Sequence, residues 1–261
     1  MWANMSNGSK RTAYRFAQIK LQAQSEEAVF RKVEEFVESD KYHYQISVNV
    51  AKLVRAQKDN RLLRSINEAD LVNADGMPIK VIAQLLSGEK TTRMGGMDYM
   101  DGLAKRHPEY RYYFLGATEE VVQAVVSHYQ GKCNLNIVGW RNGFFDPMEL
   151  SDIVRRINEL NTDVLFVALG TPAKEYLLHK LRDQLECKFA VGVGGAFNII
   201  AGKQKRAPKW VQDIGMEWFY RLCQDPRYMW KRYLITNTLF FVLLFKEWTR
   251  WLLRKLIPCK A

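Results

Sequence analysis

Leu71-Val72-Asn73-Ala74-Asp75-Gly76-Met77-Pro78 is the stretch whose reading decides the fold. Leu71 and Val72 suit a buried strand, and Asp75-Gly76 is a turn signal, because glycine adopts positive φ without steric cost. Pro78, with its fixed φ and missing N–H, fits the first turn of a helix over residues 79–86. A short strand that turns at once into a helix puts Asp75 at the strand's carboxyl end, where open α/β sheets hold their ligands. Taken locally, a helix cap is the stronger explanation of that carboxylate. The rest of the chain has to decide.

Working outward, the same alternation recurs. Residues 14–21 alternate as one strand, and Ser25-Glu26-Glu27 opens a helix to about residue 38, its acids suiting the positive end of the helix dipole. Residues 45–50 read as a strand and 51–67 as a helix. A Gly95-Gly96 turn precedes a helix ending near Arg106. Residues 111–115 are β-rich and stop at Gly116, before a helix with Val121, Val122, Val125 and Val126 on one side. A strand over 136–138, a turn over 139–147 and a helix over 148–160 follow. Residues 163–169 read as a strand whose run from Val164 on is unbroken and apolar, of the kind found in parallel strands buried on both faces. That run passes through Gly170-Thr171-Pro172 into a helix reaching residue 186, and the last strand, 189–193, ends in Gly194-Gly195. Repeated strand–helix alternation predicts an α/β fold, a mostly parallel Rossmann-like sheet flanked by helices. The body is expected over residues 13–206, after a loose polar segment at 1–12.

The 261 residues carry a net charge of +11, and its placement is uneven. From Lys203 onward there are 13 Lys/Arg against 4 Asp/Glu, whereas the first 202 residues hold 26 against 24. A basic tail points to phosphate, anionic lipid or nucleic acid. Cys133, Cys187, Cys223 and Cys259 form no C-x-x-C pair, which argues against a zinc site and suits a reducing cytoplasm. No secretory signal is expected in the first 24 residues.

Residues 207–261 read as a helical, basic appendage. Residues 234–245 are strongly apolar, but a bilayer span needs about 20 such residues. On a wheel Lys246, Arg250 and Arg254 share one face, opposite Phe241, Phe245, Trp248, Leu252 and Leu256. This pattern fits a helix lying in a membrane interface over 234–257. It also fits packing on the body or on a second copy of the chain, which leaves a homo-oligomer open. Large apolar residues among the charges favour a membrane over a nucleic-acid partner. A basic binding module without catalysis is the rival reading.

Three strand ends set polar residues beside glycine: Asp75-Gly76, Gly170-Thr171-Pro172 with Glu175, and Gly192-Val193-Gly194-Gly195 with Asn198. Glycine lets backbone N–H groups approach a phosphate, and a helix N-terminus adds partial positive charge. One such turn is weak evidence, and the dinucleotide fingerprint is incomplete, which disfavours a nucleotide-dependent oxidoreductase. Three on one sheet edge weigh more. D-x-D, H-E-x-x-H, Walker A and G-x-S-x-G motifs are missing, and His43, His107, His128 and His179 stand apart. No metal or cofactor is therefore expected. Charge on a phosphorylated leaving group would be met by backbone N–H groups and by Arg206, Arg221, Arg227, Lys231 and Arg232, since arginine's planar fork engages phosphate bidentately.

Asn73-Ala74-Asp75-Gly76-Met77-Pro78, Phe114-Leu115-Gly116, Asn142-Gly143-Phe144-Phe145 and Leu169-Gly170-Thr171-Pro172-x-x-Glu175 resemble, in that order, the WecG/TagA/CpsF glycosyltransferases. So do Gly192-Val193-Gly194-Gly195-Ala196-Phe197, Arg206-Ala207-Pro208, Glu217-Trp218-Phe219-Tyr220-Arg221-Leu222, Pro226-Arg227 and Lys231-Arg232-Tyr233. The resemblance implies inverting, metal-independent transfer from a UDP-sugar to a polyprenyl-diphosphate-linked saccharide, on the cytoplasmic face of the membrane. It makes Asp75 the catalytic base and places Ser47 and Asn49 near the reacting sugar. The matching motifs assign Asn73, Gly76, Gly170, Thr171, Glu175, Gly194, Gly195, Asn198 and Arg206 to the substrate site. Arg221, Arg227, Lys231 and Arg232 would close over the diphosphate. The Asn-Ala-Asp-Gly form leans toward hexose transfer in exopolysaccharide assembly, with N-acetylmannosamine or its uronic acid as the alternative donor. The chain departs from the family pattern in having Lys174 for Gln, Asn198 where Asp is frequent, and Tyr228 where a second Arg often stands.

Overall fold

The computed structural model describes residues 13–256, without the side chains of Tyr228, Trp251, Arg254, Lys255 and Leu256. The segment expected to be loose, 1–12, and the last residue of the expected interfacial segment lie outside it. The chain opens with a hairpin, β1 (Ala13–Phe16) and β2 (Ile19–Gln22), followed by α1 (Glu26–Glu38). Then come β3 (His43–Val48), α2 (Val50–Ala56), α3 (Asn60–Asn67), β4 (Leu71–Ala74), α4 (Met77–Ser87) and α5 (Gly96–Arg106). Next are β5 (Tyr112–Gly116), α6 (Glu119–Cys133), β6 (Ile137–Arg141), a 3-10 turn at Pro147–Glu149, α7 (Leu150–Glu159) and β7 (Val164–Ala168). α8 (Ala173–Lys180), β8 (Phe189–Gly192), α9 (Ala196–Ile200), α10 (Lys209–Asp213), α11 (Glu217–Gln224) and α12 (Pro226–Leu256) complete it.

Strands β3 to β8 form one sheet in the order β4-β3-β8-β7-β5-β6, and every neighbouring pair is parallel. The expected α/β architecture is therefore present. β8, the last strand in the chain, lies between β3 and β7, so the carboxyl ends of β3, β4, β7 and β8 meet at one edge. One face packs Ile46, Val48, Val72, Leu165 and Val167 against α2, α3, α7 and α8. The other packs Phe114, Phe166, Phe189 and Val191 against α1, α5 and α6. Strands that are apolar on both faces require this double cover.

Five local expectations are corrected. The single strand over 14–21 is a hairpin, because Ala17 and Gln18 both take positive φ (44° and 68°) and close a two-residue turn. The helix over 51–67 is two helices: Asn49 caps α2 and Asp59 caps α3, each through a side-chain oxygen accepting a backbone N–H three residues on. α8 stops at Lys180 rather than 186, where Asn158 takes over the backbone, donating to the Gln184 carbonyl and accepting from Glu186 N–H. The helix over 148–160 begins as the 3-10 turn, and β6 runs to Arg141, into the expected turn.

The free edge of β4 is blunted by a side chain. The Gln22 amide accepts from Val72 N–H (2.6 Å) and donates to the Asp70 carbonyl (3.2 Å), taking the place of a further strand. At the other end of the chain α12 lies across α2. Phe240 is 7% exposed within the core, with Leu239, Leu243 and Leu244 packed beside it. Phe241 next to it is 67% exposed. The packing and the interfacial readings of this helix thus fall on different faces. Among the described residues no helix is long and apolar enough to cross a membrane.

Candidate active site

Asp75 leaves the end of β4 with its N–H donated to the Val48 carbonyl at the end of β3 (2.8 Å). Gly76, at φ 99°, turns the chain, and it is Gly76 that occupies the cap position of α4, without a side-chain cap bond. Asp75 is therefore not spent on capping. Its carboxylate instead accepts from Asn49 Nδ2 (3.4 Å), while Asn49 Oδ1 accepts from Lys52 N–H (3.0 Å). One asparagine both starts α2 and holds the carboxylate.

Gly95, at the start of α5, lies against Asp75; a Cβ there would stand 3.3 Å from Asp75 Oδ1. A Cβ on Gly96 would collide with the Val193 backbone at 2.4 Å. Asp98 fixes this turn, accepting from Gly95 N–H (2.9 Å) with one oxygen and from Arg206 (2.6 Å) with the other. Arg206, expected to face a diphosphate, is engaged by Asp98.

Beneath Asp75 runs a buried polar chain. Gln45 donates to Ser47 Oγ (2.9 Å) and to Asn73 Oδ1 (3.2 Å), Ser47 donates to the Met94 carbonyl (3.1 Å), and Tyr99 donates to Asn73 Oδ1. Ser47 and Asn73 are buried and brace the floor, whereas Asn49 is half-buried. This network ties β3, β4 and the 94–96 turn together, with Gln45 Oε1 left as a buried acceptor that has no partner among the described residues.

At the end of β7 the Thr171–Pro172 bond is cis, and α8 opens with two adjacent charged residues that are both buried, Lys174 and Glu175. Glu175 is 1% exposed, and its Oε1 accepts from Lys52 (2.8 Å) and Lys174 (2.9 Å), themselves 6% and 8% exposed. Burial works against the Glu175 charge, yet the two ammonium groups outweigh it and bring its pKa down to about 2. Burial and repulsion from Lys52 lower Lys174 to about 8, with Glu175 and Asp75 opposing the fall. Thr171 Oγ1 lies 3.3 Å from Glu175 Oε1, and the Thr171 carbonyl accepts from Arg55 (3.4 Å). A Cβ on Gly170 would meet nothing within 4 Å, Gly194 turns the chain at φ 53°, and Gly195 starts α9. The Asn198 carbonyl accepts from Lys203 and Gln204 N–H, closing α9 beside this turn.

The appendage reaches the cleft through ion pairs. Arg93, on the loop after α4, binds Glu217 (2.5 Å) and Gln212 (2.7 Å), and Glu217 holds Arg221 (2.8 Å). Desolvation opposes the Arg221 charge, but Glu217 and Asp75 outweigh it and push its pKa up. Burial raises the Tyr233 hydroxyl, Arg221 lowers it, and Asp75 adds to the rise. Arg221 and Tyr233 are thus within electrostatic reach of Asp75. Arg227, Lys231 and Arg232 stand exposed on the first turns of α12. Among the described residues no group of three His, Cys, Asp or Glu is placed to hold a metal ion.

Sequence reasoning missed Lys52, Arg93, Asp98 and Tyr233 as parts of the site. Lys52 could have been suspected, since it lies one helical turn after Asn49 on an otherwise apolar face; Arg93 finds its partners more than 100 residues away, and Asp98, besides its local bond to Gly95 N–H, meets Arg206 across 108 residues.

A parallel α/β body thus carries a carboxylate at a strand end, with Arg221 of the helical appendage within electrostatic reach of it. The chain belongs to the WecG/TagA/CpsF glycosyl transferase family, whose model matches residues 14–253, and it is a glycosyltransferase. It is 30% identical over 192 residues, 72% of this chain and 73% of the relative, to the N-acetylglucosaminyldiphosphoundecaprenol N-acetyl-beta-D-mannosaminyltransferase of Bacillus subtilis (strain 168).

Proposed function

We propose that the chain transfers an N-acetylhexosamine, with inversion and without a metal, from a UDP-sugar to a polyprenyl-diphosphate-linked saccharide. The observation that carries this reading is Asp75, free of capping duty, held by Asn49 and overlooked by Arg221. Asp75 takes the proton of the acceptor hydroxyl as its oxygen attacks the anomeric carbon, a general-base role. The bond from that carbon to the β-phosphate oxygen breaks, its electron pair leaving with UDP. The glycine turns at 170–171 and 194–195, with Arg221, Arg227, Lys231 and Arg232, meet the charge that develops on the diphosphate. Asn49 orients the base; Ser47, Asn73, Gly76, Glu175, Asn198 and Arg206 shape the site from behind.

The relative's name favours N-acetylmannosamine as donor and a polyprenyl-diphosphate-linked N-acetylglucosamine as acceptor, over the hexose transfer toward which the Asn-Ala-Asp-Gly form leaned. The exposed apolar face of α12 supports peripheral attachment at the cytoplasmic membrane surface, where such an acceptor's lipid is anchored. The test is a panel of UDP-sugars assayed on a polyprenyl-diphosphate-linked N-acetylglucosamine. Transfer from UDP-N-acetylmannosamine, lost in Asp75→Asn, is the expected result. Transfer from a hexose donor alone would reverse the choice of sugar, and transfer from no UDP-sugar would overturn the reading.

A further inference from the structure

Lys52, Glu175 and Lys174 form a buried cluster with two positive charges and one negative, so one positive charge is left over beneath the cleft. Buried charge without a counterpart is costly, and a surplus of this kind calls for an anion nearby. Asp75 is one such anion, because its charge is among those felt by Lys174. Asp75 loses that charge when it takes the acceptor's proton. At the same stage the departing diphosphate gains one.

The lie of Lys174 fits this exchange. Its stem runs along the carboxyl end of β8, where a Cβ on Gly192 would stand 3.0 Å from Lys174 Cδ. Its Nζ lies beneath the next turn, 3.9 Å from where a Cβ on Gly194 would be. An ammonium has three protons to donate. Two face Thr171 Oγ1 (2.5 Å) and Glu175 Oε1 (2.9 Å), and the third has no protein acceptor among the described residues. The absence of side chains on Gly192 and Gly194 leaves a thin cover over this cation.

Resting on the UDP-sugar reading above, we infer that Lys174 is a donor-binding residue whose third proton goes to a diphosphate oxygen of the nucleotide at the Gly192–Gly194 turn. The other charged groups facing it are Lys52 from α2, Glu175 from its own helix and Asp75 from the end of β4. As the anomeric carbon–oxygen bond breaks, the ammonium meets the charge arriving on the β-phosphate while Asp75 becomes neutral.

The experiment is calorimetric binding of UDP and of uridine to the full-length chain, to Lys174→Gln and to Lys174→Met, with thermal unfolding of each. A charged hydrogen bond of this kind sets the expected loss at about tenfold or more in UDP affinity for both variants, with uridine affinity changed less than about twofold. Unchanged UDP affinity, or equal losses for UDP and uridine, would overturn the assignment. Failure of the unmodified chain to bind UDP would overturn the donor reading instead, and this assignment with it.

Discussion

Asn49 Nδ2 points at Asp75 Oδ2 across 3.4 Å, joining the first residue after β3 to the first residue after β4. The two strands are neighbours in parallel register, with Val48 opposite Ala74, so the pair is the next rung of the ladder carried by side chains. Asp75→Asn removes the proposed base without changing the shape. Glycosyl transfer should fall about 10²- to 10⁴-fold, with UDP affinity kept, as measured by product formation and calorimetry on the same preparation.

Asn49→Ser separates the two duties of Asn49. Serine still caps α2, so stability should stay within about 0.5 kcal/mol of the parent. The shorter side chain no longer reaches Asp75, and turnover should drop roughly tenfold to a hundredfold from loss of orientation. A thermal melt alongside the rate decides it; equal loss of both would assign Asn49 to the helix alone.

Glu175 should show itself in acid. Its folded pKa of about 2 lies below the ordinary 4.5, so its stabilisation is present above about pH 4.5 and is lost as pH falls toward 2. The contribution is on the order of 3 kcal/mol. Glu175→Gln leaves two buried ammonium groups without a carboxylate and should cost about 3–5 kcal/mol at neutral pH. Denaturant titrations at several pH values should find the gap between parent and variant closing below pH 4.5.

Adjacent phenylalanines on α12 should behave oppositely. Phe240→Ala opens a cavity under the helix and should cost about 3–5 kcal/mol. Phe241→Asp with Phe245→Asp changes exposed positions, so the melting temperature should hold while sedimentation with anionic vesicles falls. Unchanged vesicle binding would remove the membrane role from that face.

The strand-end Asp75, the glycine turns and the parallel sheet were legible because each depends on a few consecutive residues: an apolar run, a glycine, a proline at the next helix. The order of the strands was not, since nothing within residues 189–193 tells that β8 enters between β3 and β7. Ala17-Gln18 carries neither glycine nor asparagine, so the hairpin had no turn signal; burial of Phe16, Ile19 and Leu21 forces it. Asp59 did carry a cap signal, but it fell inside the stretch 51–67 that was read as one helix, which hid the break between α2 and α3. Arg206 was read by residue type, and Asp98, 108 positions away, supplies a partner that type cannot reveal.

Short α2 has three tasks in seven residues. Its cap orients Asp75, its first turn sends Lys52 under Glu175, and its outer side is the seat of α12. A mutation that reshapes the seat for a different tail must also displace the Asn49 end of the same rod. Tail and cleft are therefore bound to drift together: descendants of this chain can retune one only by accepting compensating change in the other.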